Sequence, residues 1–229
     1  MKRFAHAHIV SIAFLMIEMA LYICLLITNN PWAMFGSILL CFLFALMHFK
    51  NGNRIAILAL AGTVCADYFL VLSPQQEKLW GMVFFLSVQI LYAVRLQVTR
   101  PNKAFLIVRI ALTILAEIVV LIVLKDNTDA LAMVSLAYYA NLIISIAEGL
   151  SLIRINALFP IGMILFLLCD TVIGLQAIAN GYLPVESSSI LWQIIYPGFN
   201  LAWLFYLPSQ VLLALSVHCN KNINKEEVS

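Results

Sequence analysis

Gly162-Met-Ile-Leu-Phe-Leu-Leu-Cys-Asp170-Thr-Val-Ile-Gly-Leu175 places one carboxylate in the middle of an otherwise apolar run. A second stretch, Ala61-Gly-Thr-Val-Cys-Ala-Asp67-Tyr-Phe-Leu-Val-Leu72, does the same. Apolar runs of this length are membrane helices when they approach about 20 residues. A carboxylate at the centre of a bilayer costs roughly 2.5–3.5 kcal/mol on insertion scales. Each aspartate therefore needs a partner, a hydrated cavity or a proton.

The rest of the chain agrees with a membrane reading. Of 229 residues, 64% are hydrophobic and 10% charged, where a soluble domain carries roughly 25% charged residues. The mean hydropathy is +1.01. The short alternating segments of a β-barrel are not visible. The expected fold is all-α, a single polytopic integral membrane domain over residues 1–229. Apolar runs predict eight spans, near 7–27, 33–49, 55–72, 79–97, 104–124, 130–153, 157–179 and 191–217. The breaks between them are rich in Asn, Pro, Gly and Asp, which stop or start helices. Lys2 and Arg3 precede the first run, but that run is too long for a signal peptide core and carries Glu18. It reads as a retained helix.

Charge placement predicts orientation. Lys2, Arg3, Lys50, Arg54, Arg95, Arg100, Lys103, Arg109, Arg154, Lys221 and Lys225 fall at one set of span ends, and only Lys78 and Lys125 at the other. The positive-inside rule then puts both termini in the cytoplasm. Odd-numbered spans run outward. Asp67 lies 13 residues beyond Arg54, and Asp170 lies 14 beyond Asn156, so each is about 20 Å above the inner end of its span. Glu18 and Glu117 reach a similar depth in the first and fifth spans.

Polar residues recur on single helical faces. Gln89 with Tyr92, and Tyr206 with Gln210, are three and four residues apart in the fourth and eighth spans. Matched depth and matched pairs suggest a parallel four-plus-four internal repeat. In the sixth span Tyr138, Asn141, Ser145 and Glu148 form one stripe, which faces a cavity or neighbouring helices. Interhelical hydrogen bonding is the plain alternative. Glu148 is expected to reach toward Arg154. Pro208 is expected to bend the last span near Gln210. The stretch 183–198, with Trp192, Tyr196 and Pro197, reads as an aromatic anchor at the outer interface, or as a lid.

The five cysteines, Cys24, Cys41, Cys65, Cys169 and Cys219, have no metal-ligand spacing, and neither do His6, His8, His48 and His218. No metal or other cofactor is expected. Nothing in the charge pattern suggests a nucleic-acid partner, and nothing sets an oligomeric state.

Several motifs in order resemble the YhhN-like family of transmembrane lysoplasmalogenases. They are Cys65-Ala-Asp67-Tyr-Phe-Leu, Gly81-Met-Val-Phe-Phe85, Gln89-Ile-Leu-Tyr92, Gly162-Met-Ile-Leu-Phe166-Leu-Leu-Cys-Asp170 and Leu204-Phe-Tyr206-Leu-Pro-Ser-Gln210. Together they cover roughly residues 55–217. The family's patterns carry Gly where this chain has Ala66, Ser where it has Cys169, and His where it has Gln89. The first two exchanges are small for small. The third removes a group able to relay a proton.

The resemblance implies a bacterial cell-membrane enzyme with a lysophospholipid substrate, membrane lipid around it and no cofactor. The reaction would cleave the vinyl ether of a lysoplasmalogen to a fatty aldehyde and a glycerophospho head group. Asp67 and Asp170 suit that chemistry as general acid and general base, much as paired carboxyls serve glycosidases on a related cation. Two adjacent carboxylates resist being ionised together and tend to share one proton. Gln89, Tyr92, Tyr138, Asn141, Tyr206, Gln210, Glu18 and Glu117 are the candidates for substrate or water binding. A small-solute or proton-coupled transporter is the alternative of another class, since acids at matched depth also serve carriers. A catalytically inactive family member is the other, because of Gln89.

Overall fold

The computed structural model describes residues 2–74, 77–125, 129–181 and 189–218. Among them every regular element is helical. The order is α1 (Lys2–Thr28), α2 (Pro31–Met47), α3 (Arg54–Asp67), α4 (Lys78–Thr99), α5 (Lys103–Leu124), α6 (Ala130–Ser151), α7 (Leu158–Gly181), α8 (Ile190–Ile195) and α9 (Leu201–Leu215). A π-helical turn, Tyr68–Leu72, continues α3, and a 3₁₀ turn, Ser216–His218, closes α9. Among the described residues seven helices are long and apolar enough to cross a membrane, and Pro31–Met47 is a shorter apolar helix. The chain is thus an all-α integral membrane protein.

Asn and Asp set the helix boundaries. Asn30, Asn53, Asn102 and Asp129 each accept backbone N–H groups at the first turn of the helix that follows, and Asn156 and Asn200 do the same for α7 and α9. These caps satisfy donors that a helix start otherwise leaves open. Asn29 takes a left-handed φ of 49° just past α1, a conformation that Asn tolerates. Pro31 follows at the first position of α2, where its missing N–H costs nothing.

Hydrogen bonds at the two ends show an up-and-down bundle. At one end, Asn53 N–H donates to the Val217 carbonyl, Arg95 donates to Ser216 Oγ and carbonyl, and Asn156 donates to the same carbonyl. The start of α3, the end of α4, the start of α7 and the end of α9 therefore meet, and Lys50, Arg54 and Arg154 sit nearby in sequence. At the opposite end, Asn200 Nδ2 donates to Asn29 Oδ1 at 2.6 Å and Asn200 N–H donates to the Leu26 carbonyl. Helix packing pairs α3 with α4 and α7 with α9, α2 with α3 and α6 with α7, and α4 with α6 and α2 with α9. These three sets of pairings match between the halves and are consistent with a four-plus-four repeat, whereas the packing of α1 and α3 on α9 has no equally close counterpart of α5 and α7 on α4.

Lipid offers no hydrophobic drive for helices to associate, so close approach and polar bonds must hold the bundle. Two motif glycines serve that purpose. A Cβ on Gly81 would lie 2.5 Å from Leu70, and one on Gly162 would lie 3.1 Å from the Ser209 carbonyl. These glycines seat α4 against α3 and α7 against α9.

The last apolar run departs from the sequence expectation of one helix over 191–217. Its membrane helix begins at Leu201, and residues 196–200 separate it from the six-residue α8. Pro197, Gly198 and the capping Asn200 account for the break. The Trp192 and Tyr196 rings pack tilted with centroids 4.3 Å apart, Tyr196 OH donates to the Gln176 carbonyl, and Gln176 Nε2 donates to the Ile195 carbonyl. Residues 182–188, part of the stretch expected as anchor or lid, lie outside the described residues.

Candidate active site

Asp67 is the last α-helical residue of α3, and the helix widens into the π turn immediately after it. Ser73 N–H bonds back to the Tyr68 carbonyl, five residues earlier. Such π turns are rare and frequent at functional sites. Asp67 is almost fully buried, and Tyr206 OH of α9 donates to its Oδ2 at 2.6 Å. The Tyr206 segment is itself anchored. Pro208 has no N–H for the Leu204 carbonyl, and Tyr22 OH from α1 donates to that carbonyl at 3.1 Å instead.

Asp170 sits on α7 and is partly exposed. Its Oδ2 accepts a short hydrogen bond from Tyr138 OH of α6. One residue further along both helices, Tyr139 OH and Thr171 Oγ1 pair at 3.0 Å, which fixes the register of α6 on α7.

The two aspartates converge. They lie within electrostatic reach of each other, and Cys169 lies within reach of both. Phe166 bridges their partners, with its ring 6.3 Å from that of Tyr138 and 5.5 Å from that of Tyr206. Phe85 of α4 contacts both Tyr138 and Phe166, closing the aromatic layer. Each aspartate thus keeps Oδ2 tied to a tyrosine from another helix, which leaves Oδ1 for other chemistry.

Gln89 and Gln210 lie one turn beyond that layer toward the basic end, four residues past Phe85 and Tyr206 on two helices that run the same way. Neither hydrogen bonds to an aspartate. Both are fully buried. Among the described residues no partner reaches Gln89 Oε1 or Nε2, Gln210 Oε1 or the Tyr92 hydroxyl. Each such group costs about 1–3 kcal/mol if it stays unpaired. Tyr92 packs edge-on against Phe159 at 5.3 Å, a further turn down.

Of the remaining candidates, Glu18 belongs to the near side of the site. Its Oε1 accepts from Cys41 Sγ at 3.4 Å, and Cys41 lies within electrostatic reach of Asp67. Glu18 Oε2 is buried without a partner among the described residues. Glu117 sits on α5, which packs mainly on α6, and makes no hydrogen bond to either aspartate.

The polar stripe of the sixth span divides. Tyr138 serves Asp170, while Asn141, Ser145 and Glu148 serve Arg109. Arg109 donates to the Asn141 carbonyl and Oδ1, to Ser145 Oγ and to Glu148 Oε2, each within 3.0–3.1 Å. Gln97 Nε2 donates to Glu148 Oε1. Asn141 is therefore part of an ion-pair network and not of the aspartate site. The expected reach of Glu148 toward Arg154 is replaced by this pair, because Arg109 stands 9 Å or so inside the span and needs a counter-charge there. Sequence reasoning counted Arg109 and Arg95 as end charges. Their positions inside the apolar runs 104–124 and 79–97 were the signal that each must have a buried partner.

One further arrangement escapes sequence spacing. His48 and His218 are 170 positions apart, yet their rings lie 3.6 Å from each other. Among the described residues no three His, Cys, Asp or Glu side chains gather as a metal site would require. The chemistry available at the aspartate site is proton transfer by two tyrosine-oriented carboxyls in a low-dielectric setting.

The sequence model of the YhhN family matches residues 28–217 of this chain, a span that includes both aspartates and both of their tyrosine partners. No curated protein and no solved structure matches it. The motifs around Asp67, Gly81, Asp170 and Tyr206 thus lie inside the matched region, and the chain belongs to the YhhN family.

Proposed function

We propose that this protein is an intramembrane hydrolase that cleaves the vinyl ether bond of a lysoplasmalogen or a related lysolipid. The observation that carries the reading is the pairing of Asp67 and Asp170, two intramembrane carboxyls within electrostatic reach, each oriented by a tyrosine from a different helix. Family membership supports it through the activity that the resemblance implies.

The chemistry follows from the substrate. One carboxyl gives its proton to the vinyl carbon that does not bear oxygen, which leaves an oxocarbenium-like cation. The other carboxylate takes a proton from water as the water oxygen attacks that cation. The resulting hemiacetal collapses when its hydroxyl loses a proton and the glycerol oxygen gains one. One water is consumed. The products are a fatty aldehyde, whose carbonyl oxygen comes from that water, and the lysolipid's head group with a free glycerol hydroxyl. A cation formed next to an ionised carboxylate in low dielectric is stabilised as in glycosidases. A buried site also suits a substrate whose fatty chain already lies in the bilayer.

The test is incubation of purified protein with ether, vinyl ether and ester lysolipids, with aldehyde detection. Aldehyde release from the vinyl ether lipid alone supports the reading. Absence of aldehyde from a folded protein across the panel would sink it and favour a carrier or an inactive relative.

A further inference from the structure

Four polar side chains stand between the aspartates and the basic end of the bundle with atoms that no described residue satisfies. They are Gln89, with both amide atoms, Gln210 Oε1, the Tyr92 hydroxyl and Glu18 Oε2. All four residues are at most 3% exposed. Native proteins leave very few buried polar atoms unpaired, and in hydrocarbon the cost is higher still. When such atoms face one another inside a protein, bound water is the ordinary partner.

Their placement follows the helix register. The ring layer of Phe85, Tyr138, Phe166 and Tyr206 marks the level of the aspartates. Gln89 and Gln210 occupy the next turn down on α4 and α9. Tyr92 occupies the turn after, against Phe159. Arg95 lies one turn lower, with its guanidinium 4.7 Å from the centre of the same Phe159 ring and bonded to Ser216. A small cavity of about 20 Å³ opens at this level, lined by Arg95, Thr99, Asn156 and Phe159 among others. A cavity of roughly 10–15 Å³ by this measure already holds one water. Polar groups thus succeed one another, turn by turn, from the basic end to the aspartates.

We propose that these groups form a water file, and that the water consumed at Asp67 and Asp170 enters from the basic end past Arg95 and Thr99, along Tyr92, Gln89 and Gln210. This rests on the hydrolase reading for its purpose but not for its physical content. It answers a problem that the reading creates, namely how a hydrolytic site inside lipid is supplied with water. It also gives Gln89 a role that needs no proton exchange, because an amide can both donate to and accept from water.

X-ray radiolytic footprinting of the wild-type protein in detergent tests the file without relying on turnover, because radicals formed from bound water label the side chains beside it. Tyr92 should be labelled roughly tenfold faster than Phe14, which is similarly buried but stacks on the Phe44 ring. Thr99→Phe, which fills the cavity at the helix end, should cut the Tyr92 labelling severalfold. Gln89→Leu and Gln210→Leu should each lower the melting temperature, since bound water loses a partner. In a dry layer the same changes would remove unpaired amide atoms, both of them at Gln89 and Oε1 at Gln210, and raise it.

Tyr92 as inert as Phe14 would overturn the file. Strong labelling that ignores Thr99→Phe would overturn the basic-end route. Labelling of the file in a protein that releases no aldehyde would leave the file standing and defeat the hydrolase reading. Aldehyde release from a protein with an unlabelled Tyr92 would do the reverse.

Discussion

Tyr206 donates a 2.6 Å hydrogen bond to Asp67 across 139 positions of sequence, and in doing so ties the last membrane helix to the third. The same helix turn holds Pro208, whose missing N–H frees the Leu204 carbonyl for Tyr22. One tyrosine orients the carboxylate, and a second fixes the helix that carries the first.

Asp67→Asn and Asp170→Asn each keep size and polarity but can neither give nor take the proton. Each should lower aldehyde release at least about 10²-fold, the usual scale for one acid–base group. The double variant should be little worse than the worse single one, because the pair acts as a unit. The wild-type rate should show two apparent titrations that belong to the pair. Near-normal turnover in either single variant, at matched thermal stability, would remove that residue from the chemistry.

Tyr206→Phe and Tyr138→Phe delete only the donor hydroxyls at Asp67 and Asp170. The carboxyls remain but lose their fixed orientation. We expect kcat to fall roughly tenfold with KM little changed, since the loss falls on proton transfer and not on lipid binding. A rise in KM at constant kcat would assign these hydroxyls to the lipid instead.

Gln89→His restores the residue that the family's pattern carries at this position. An imidazole here should add a titration near neutral pH to the rate profile while activity is retained or raised. Full activity with an unchanged profile would show that the position takes no part in proton transfer, the result that a purely water-binding Gln89 favours.

Glu148→Gln and Arg109→Met should each destabilise the protein, by about 3 kcal/mol, because each leaves the other charge buried without its ion-pair partner. The paired change Arg109→Met with Glu148→Leu should recover much of that loss. Thermal unfolding in detergent measures all three. A double variant as unstable as the worse single one would show that the neutral partners Asn141, Ser145 and Gln97, and not the ion pair, set the energy of this network.

Reporter fusions at Lys125 and after the C-terminus should lie on opposite sides of the membrane, with the C-terminus inside. The expectation comes from the eleven basic residues at one set of helix ends against two at the other. Both reporters on one side would overturn the orientation.

Composition and apolar run length by themselves determined the membrane class, the all-helical architecture and the approximate limits of every span but the last, because hydrocarbon thickness sets span length and backbone groups in lipid must pair within the segment. The caps were legible too, since Asn30, Asn53, Asn102 and Asp129 act on their own next turn. Asp67 and Asp170 were visible for the same reason, as charges where lipid penalises them. Only the tertiary structure decided what each polar group pairs with. Tyr138 and Asn141 lie three residues apart on one helix face, yet one serves Asp170 and the other Arg109. Local sequence sets a helical face and a depth. The neighbour across that face depends on how the helices pack, and that is settled by glycine-sized approaches such as Gly81 on Leu70 and Gly162 on the Ser209 carbonyl, between helices far apart in the chain or joined through turns. The break between α8 and α9 has the same origin. Pro197 and Gly198 permit it locally, but the start of α9 is held by the bond from Asn200 to Asn29, 171 positions away.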